Sequence, residues 1–180
     1  MQANVYWIDG VGNGRLGIVP RPRGGEWLED EAAAWRDAGV EMVVSLLEPA
    51  EAADLLLQEE ATAAAASGIT LRNFPIPDRG VPSSREAVAE VTREIIGALD
   101  APRSVAVHCR QSVGRAGMIA VAVLVARGTP LDAALQVVSE ARGIEVPETP
   151  EQRRWLEDFA RWLDQTRAAE SSRPARERAR

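Results

Sequence analysis

The chain of 180 residues contains one cysteine, one histidine and no lysine. Because Cys109 is the only cysteine, no intramolecular disulfide can form. Because His108 is the only histidine, a nucleophile paired with a separate catalytic histidine is excluded. The 21 basic residues are all arginine, and we assign no function to this bias. Any cysteine chemistry of this protein therefore depends on one thiol and the residues around it.

The sequence also lacks a long hydrophobic run and a basic-then-apolar segment at its N-terminus. A membrane span and a secretory signal are therefore not predicted, and we expect a cytoplasmic protein. The formal net charge of −6 argues against nucleic acid or an anionic membrane as the main partner. No cluster of metal-ligating side chains is visible, so we expect neither a metal ion nor another cofactor. We also expect a monomer.

Short apolar runs alternate with segments of helical periodicity along most of the chain. This alternation predicts one α/β domain at residues 1–166, with a central, mostly parallel sheet flanked by helices. The Arg-rich residues 167–180 lack large apolar side chains, and we expect them to form a disordered tail. Strands are predicted near residues 5–8, 16–19, 40–46, 69–76 and 104–108. Helices are predicted near residues 26–38, 50–67, 118–127 and 130–143, after a capping Ser83 and after Thr149.

The segment His108–Gly117 lies between an apolar strand run and a helix-like run. Backbone N–H groups at a helix start and a nearby guanidinium stabilise a thiolate and also bind a tetrahedral dianion. Cys109, followed six residues later by Arg115, therefore indicates a phosphate-binding loop with a nucleophile at its base, although a lone cysteine after an apolar strand is usually a small core residue. The residues expected to bind phosphate are Arg110, Gln111, Ser112, Val113, Gly114 and Arg115.

These residues resemble the His-Cys-x5-Arg signature of the cysteine-dependent protein phosphatases, which include tyrosine and dual-specificity enzymes. Residues 74–82 are similar to the general-acid loop of that family, and residues 147–152 are similar to its glutamine loop. The resemblance covers residues 40–163. It implies a phosphatase-like fold with the active-site loop between the central strand and a helix. It further implies metal-independent hydrolysis of a phosphorylated protein or small phosphomonoester through a phosphocysteine.

Three further residues are candidates for roles around the loop. Asp78 lies 31 residues before Cys109, and the resemblance makes it the general acid, but its Pro-Asp-x-Gly context is also an ordinary turn. His108 either orients the loop and tunes the thiolate through a hydrogen bond or is a satisfied strand-end histidine. Gln152 closes a capping box with Thr149, and the resemblance makes it a positioner of the hydrolytic water.

Two positions depart from the family pattern. Ala116 stands where a hydroxyl residue normally donates to the sulfur, and Ser112 replaces a usual glycine, which strains the loop if that position needs a positive φ. Both departures bear on turnover more than on phosphate binding. A phosphate-recognition module without turnover is therefore one alternative to a phosphatase, and a rhodanese-like sulfurtransferase is another. The sequence does not distinguish phosphotyrosine from phosphoserine, phosphothreonine or lipid substrates.

Overall fold

A computed structural model describes residues 3–172. The strands are β1 (Tyr6–Ile8), β2 (Arg15–Ile18), β3 (Met42–Ser45), β4 (Thr70–Asn73) and β5 (Ser104–His108). The helices are α1 (Leu28–Asp37), α2 (Pro49–Asp54), α3 (Glu60–Ala66), α4 (Arg85–Asp100), α5 (Gly114–Ala126), α6 (Leu131–Arg142) and α7 (Pro150–Ser171), with a 3-10 turn at Gly25–Trp27 before α1. Within residues 3–172, no helix combines the length and the apolar character that crossing a membrane requires.

The β5 strand lies at the centre of a five-stranded sheet with the order β1-β2-β5-β3-β4. The β1 and β2 strands are antiparallel, and all other neighbours are parallel. Ile18 pairs with Val107, and Ser45 pairs with His108. The residues that follow β2, β3 and β5 therefore meet at one edge of the sheet. The predicted α/β fold with a mostly parallel sheet is confirmed.

Helices cover both faces of this sheet. On one face, α5 lies between the sheet and the other helices. It contacts the strands β2 and β5 on one side and the helices α4, α6 and α7 on the other. All residues of Gly114–Val125 are buried in this layer, which explains the almost uninterrupted apolar sequence of α5. On the other face, Trp35 of α1 and Ala64 of α3 pack with Ala106 of β5. Because β5 is covered on both faces, each of its residues is buried.

The prediction of one helix at residues 50–67 is wrong, since α2 ends at Asp54 and α3 begins at Glu60. Leu56 lies between them with a φ of 57°, in the left-handed region that usually takes glycine after a helix. On one continuous helix, Glu51 and Glu60 would point in roughly opposite directions, because nine residues correspond to about two and a half turns. The break lets both carboxylates turn inward, and both are buried.

The predicted N-cap of α4 is displaced by one residue. Ser84 caps the helix in place of Ser83, and its Oγ accepts a hydrogen bond from the Ala87 amide at 3.1 Å. Two adjacent serines offer the same capping chemistry. The helix therefore begins at Arg85, one residue later than predicted.

The C-terminal helix is longer than the sequence predicts. Because α7 continues to Ser171, the predicted disorder is wrong for residues 167–171. Arg167 donates a hydrogen bond to the carbonyl of Ala126 at the C-terminal end of α5. A cation is favourable at that helix end, so this contact ties the end of α7 to the domain. Residues 173–180 of the predicted tail lie outside the described residues.

Candidate active site

The candidate nucleophile lies at the carboxyl end of the central strand. Cys109 directly follows β5, and α5 begins five residues later at Gly114. The Cys109 side chain is only 2% exposed, and its sulfur accepts a hydrogen bond from the Ser112 amide at 3.2 Å. Amide donors at a helix start stabilise negative charge on sulfur. The loop therefore has the local geometry that thiolate chemistry requires.

The predicted phosphate-binding residues differ in their exposure. Arg110 and Gln111 are exposed, Val113 is half-buried, and Ser112 and Gly114 are buried. The loop thus combines an accessible outer side with a buried base at Cys109. The side chain of Arg142 supports this loop from α6, because its Nε donates to the Ser112 carbonyl at 2.8 Å.

Ser112 has a positive φ of 54°, so the condition under which the sequence analysis expected strain at this position is met. Such a conformation costs a residue other than glycine roughly 1–2 kcal/mol. The Ser112 hydroxyl donates to the carbonyl of Val19 at 2.5 Å, which offsets part of this cost. The hydroxyl is therefore directed at the residue that follows β2 and not at the Cys109 sulfur. Ala116 is fully buried and has no hydroxyl that could take its place.

Arg115 is buried below the loop and is held from three sides. Its Nη1 and Nη2 donate to the two carboxylate oxygens of Glu51 at 2.7 and 2.8 Å. Nη1 also donates to the Ile76 carbonyl at 3.0 Å, and Nη2 donates to Asp78 Oδ1 at 2.8 Å. Burial disfavours the charge, but the Glu51 hydrogen bond and the charges of Cys109, Glu51 and Asp78 hold the pKa of Arg115 above its ordinary value. The guanidinium is therefore a fixed cation.

Glu51 is a site residue that the sequence analysis missed. It lies in the first turn of α2 and is buried. Its hydrogen bond with Arg115 lowers the pKa of Glu51, against the opposing effect of burial. In the sequence it is one of several acids in a segment predicted to be one continuous helix. No local signal separates it from its neighbour Asp54, which is exposed.

Asp78 lies in the loop after β4 and next to Arg115, with a side chain that is 53% exposed. The Gly80 amide donates to the Pro77 carbonyl at 2.9 Å, so the turn interpretation of this segment is confirmed. The turn and the ion pair coexist, because the turn presents the carboxylate to Nη2 of Arg115. The structure thus brings Asp78 and Arg115 together.

Gln152 connects this turn with the start of α7. The predicted capping box with Thr149 is present. The Gln152 Nε2 also donates to the Gly80 carbonyl at 3.0 Å. A Cβ on Gly114 would lie only 2.8 Å from Gln152 Oε1, so glycine permits this close approach at the start of α5. Gln152 is fully buried and joins the turn at residues 77–80 to the nucleophile loop.

His108 is fully buried and contacts a second buried acid that the sequence analysis missed. Its Nε2 lies 2.8 Å from Glu60 Oε1. Within the described residues, neither ring nitrogen of His108 nor Oε1 of Glu60 has a hydrogen-bond partner, so this is a close polar contact in a buried place. The Trp35 ring packs beside the imidazole with a centroid separation of 5.9 Å. His108, the residue directly before Cys109 in the sequence, is thus in contact with both α1 and α3.

Comparisons with known proteins place this geometry in a family. The family model described as "polymorphic toxin system, DSP-PTPase phosphatase" matches residues 17–129. The crystal structure of Tk-PTP in its active form is 30% identical, with 87% of this chain and 96% of that chain covered and a TM-score of 0.71. Kinase associated phosphatase, with its catalytic-site cysteine replaced by serine, is 16% identical, with 91% and 97% covered and a TM-score of 0.81. PTPMT1 is 17% identical, with 91% and 99% covered and a TM-score of 0.72. No curated protein matches the sequence.

The family match spans more than half of the chain and includes both Cys109 and Arg115. None of these comparisons favours a sulfurtransferase or a binding module without activity. The resemblance inferred from the His-Cys-x5-Arg motif is therefore confirmed. The chain belongs to the DSP-PTPase family of dual-specificity and protein tyrosine phosphatases, which are enzymes that work through a phosphocysteine intermediate.

Proposed function

We propose that this phosphatase hydrolyses phosphomonoesters in two steps on Cys109. In the first step, the thiolate attacks phosphorus in line, an S–P bond forms, and the P–O bond to the leaving group breaks. Arg115 and the loop amides hold the non-bridging oxygens. The observation that carries the proposal is the bidentate pair of Arg115 with Glu51, at 2.7 and 2.8 Å. This pair fixes the guanidinium beside the nucleophile loop before substrate binds.

Asp78 is the proposed general acid. Its carboxylate is half-exposed and lies 2.8 Å from Arg115 Nη2, so it is within reach of both solvent and the phosphate-binding group. A bound phosphate dianion competes with Asp78 for the same N–H donors. We infer that phosphate displaces the Asp78 carboxyl group toward the leaving oxygen, and that this group, once it has taken up a proton from solvent, donates that proton to the leaving oxygen. Such a proton transfer contributes about 10²–10⁴-fold to the rate.

In the second step, water attacks the phosphocysteine, the S–P bond breaks, and Asp78 accepts the proton of the water. Gln152 is proposed to orient this water after its amide turns away from its present contacts, in which Nε2 donates to the Gly80 carbonyl and Oε1 accepts from the Thr149 amide. The departing sulfur accepts a hydrogen bond from the Ser112 amide and none from Ala116. We therefore propose that phosphocysteine breakdown is the slower step.

The proposed substrate is a phosphorylated protein or a small phosphomonoester, as for the family as a whole. PTPMT1 also forms a complex with PI(5)P, so a phosphoinositide belongs among the substrates to be tested. A cytoplasmic location and a monomeric state stay predictions.

The test is the hydrolysis of para-nitrophenyl phosphate in the presence of EDTA. Because nucleophile, cation and acid are all side chains of this chain, we expect turnover without added metal. Cys109→Ser should lower the rate by roughly 10³–10⁶-fold and leave the thermal unfolding temperature nearly unchanged. Full activity of Cys109→Ser would refute the mechanism. Phosphopeptide binding without turnover would instead support a recognition module, and thiosulfate–cyanide transfer would support a sulfurtransferase.

A further inference from the structure

The loop that carries Asp78 connects β4 with α4. Backbone hydrogen bonds to the end of β3 fix its first half, where the Phe74 amide donates to the Ser45 carbonyl at 2.9 Å. In its second half, residues 79–83, the one backbone hydrogen bond that the described residues show runs from the Gly80 amide back into the same loop. Side chains therefore have to hold the half of the loop that follows Asp78.

The residue directly after Asp78 is in a strained conformation. Arg79 has a φ of 55°, in the left-handed region that is unfavourable for a residue other than glycine. Such a conformation persists only where the surrounding contacts determine it. One of these contacts is the ion pair of Arg79 Nη1 with Glu148 Oε1 at 3.0 Å. These side chains are 67% and 32% exposed, so the ion pair by itself holds the loop only weakly.

Two side chains of α7 contact the same half of the loop. Gln152 Nε2 donates to the Gly80 carbonyl at 3.0 Å, and Trp155 Nε1 donates to the Pro82 carbonyl at 3.1 Å. Because Gln152 and Trp155 are three residues apart, they lie on one face of the helix. This face of α7 therefore follows the loop from Gly80 to Pro82.

An aromatic stack along α7 fixes the direction of the Trp155 N–H. The Trp155 ring stacks on Phe159 with a centroid separation of 5.2 Å and an interplanar angle of 15°. Phe159 is fully buried and stacks in turn on Trp162, at 6.0 Å. The stack thus holds the indole so that its single N–H donor meets the Pro82 carbonyl.

The hydrogen bonds of Gln152 and Trp155 differ during the proposed reaction. In the second step, the Gln152 amide turns toward the attacking water and gives up its hydrogen bond to Gly80. Asp78 has to stay in place at that moment, because it accepts the proton of the water. The hydrogen bond of Trp155 takes no part in this exchange, so it still holds the loop when Gln152 has left it.

We propose that Trp155 is a positioning residue for Asp78. Its hydrogen bond to Pro82 keeps the second half of the acid loop in place through both steps of the reaction. This inference rests on the proposed function, because Asp78 has a position to keep only if it transfers a proton. An aromatic side chain that packing alone would explain thus acts on proton transfer through the loop that it holds.

The test separates the Trp155 N–H from its ring. Trp155→Phe keeps an aromatic ring for the stack and removes the donor. Trp162→Phe is the matched control, because Trp162 stacks on the same Phe159 but its N–H donates no hydrogen bond within residues 3–172. The measured quantity is kcat/KM for two substrates of similar shape. Phenyl phosphate has a leaving group that needs protonation, and para-nitrophenyl phosphate has one that needs little.

Trp155→Phe should slow only the substrate that depends on the acid. We expect kcat/KM for phenyl phosphate to fall by about threefold to tenfold, the value of one hydrogen bond, and kcat/KM for para-nitrophenyl phosphate to change by less than about twofold. Trp162→Phe should leave both values unchanged. In the Asp78→Asn background, Trp155→Phe should have no further effect on phenyl phosphate, because no acid is left to position.

The outcomes separate the role of Trp155 from the reaction itself. If para-nitrophenyl phosphate is not hydrolysed at all, the proposed function fails. If Asp78→Asn selectively slows phenyl phosphate but Trp155→Phe slows both substrates equally or neither, the function stands and the role of Trp155 is wrong. An effect of Trp155→Phe that persists in the Asp78→Asn background also overturns it. If Trp155→Phe does not fold, replacement of Trp155 by 3-benzothienylalanine, in which sulfur takes the place of the N–H, keeps both fused rings and decides between the same outcomes.

Discussion

The buried pair of Glu51 with Arg115 offers the sharpest test of how this site is built. Glu51→Ala removes two hydrogen bonds of 2.7 and 2.8 Å and leaves a guanidinium that is only 2% exposed without its main partner. Removing one partner of a buried ion pair costs about 3–5 kcal/mol. For a domain of this size, that loss lowers the unfolding temperature by roughly 6–20 °C. Glu51→Gln keeps the volume and one neutral acceptor, so its loss should be smaller.

The pH dependence of stability gives a second measure of the same pair. Because the Arg115 hydrogen bond lowers the pKa of Glu51 in the folded state, the unfolded state binds more protons as the pH falls. The stabilisation is therefore fully present above the ordinary value of 4.5 and is lost as the pH falls below it. Glu51→Gln has no such carboxyl group. Its free energy of unfolding should therefore decline less than that of the wild type between neutral and acidic pH.

The assay combines urea unfolding, followed by tryptophan fluorescence, with kcat/KM for para-nitrophenyl phosphate. We expect Glu51→Gln to lower kcat/KM by about tenfold to a hundredfold, because a small displacement of Arg115 misplaces the phosphate. Asp54→Asn is the matched control, since Asp54 is an exposed acid on the same helix. If Glu51→Gln and Asp54→Asn behave alike in stability and in rate, the assigned role of Glu51 is refuted.

Three further predictions concern the acid, the sulfur and the buried histidine. Asp78→Asn should slow alkyl phosphates about 10²–10⁴-fold and activated aryl phosphates much less, and an equal loss for both would indicate a structural turn only. Rapid mixing of the wild type with an activated aryl phosphate should show a burst near one equivalent. Ala116→Ser should raise steady-state turnover by up to about tenfold to a hundredfold, the value of one hydrogen bond to a charged group. Absence of both effects would contradict a slow second step. Glu60→Gln should slow the alkylation of Cys109 by iodoacetate, because the Glu60 carboxylate contacts the imidazole of His108, the residue directly before Cys109. The exposed Glu59→Gln is its control, and equal rates for both variants would remove that role from Glu60.

The parts of the site that the sequence determined are those whose interactions are local. The nucleophile loop from His108 to Arg115 is contiguous, and its strand–loop–helix context is visible in the apolar runs on both sides. The capping box of Thr149 and Gln152 depends on residues three apart, so it could also be predicted and is confirmed. The glycine that usually occupies the position of Ser112 indicated that strain would follow if φ were positive there, and the structure gives a φ of 54°. The fold class followed because a buried parallel strand such as β5 requires a continuous apolar run.

The tertiary structure alone decided which distant side chains complete the site. Glu51 and Glu60 look like other surface acids in the sequence, and they reach Arg115 and His108 only because the chain turns at Leu56. A leucine in a left-handed conformation gives no local signal of a helix end, since glycine is the residue that usually marks one.

The same limit applies to the loop that carries Asp78. Trp155 lies 73 residues after Pro82, and the packing of α7 beside that loop brings them together. The helix α7 extends to Ser171, where composition alone predicted disorder, because contacts such as that of Arg167 with α5 do not appear in a local pattern. Local chemistry thus identified the reaction, and the path of the chain determined the partners that support it.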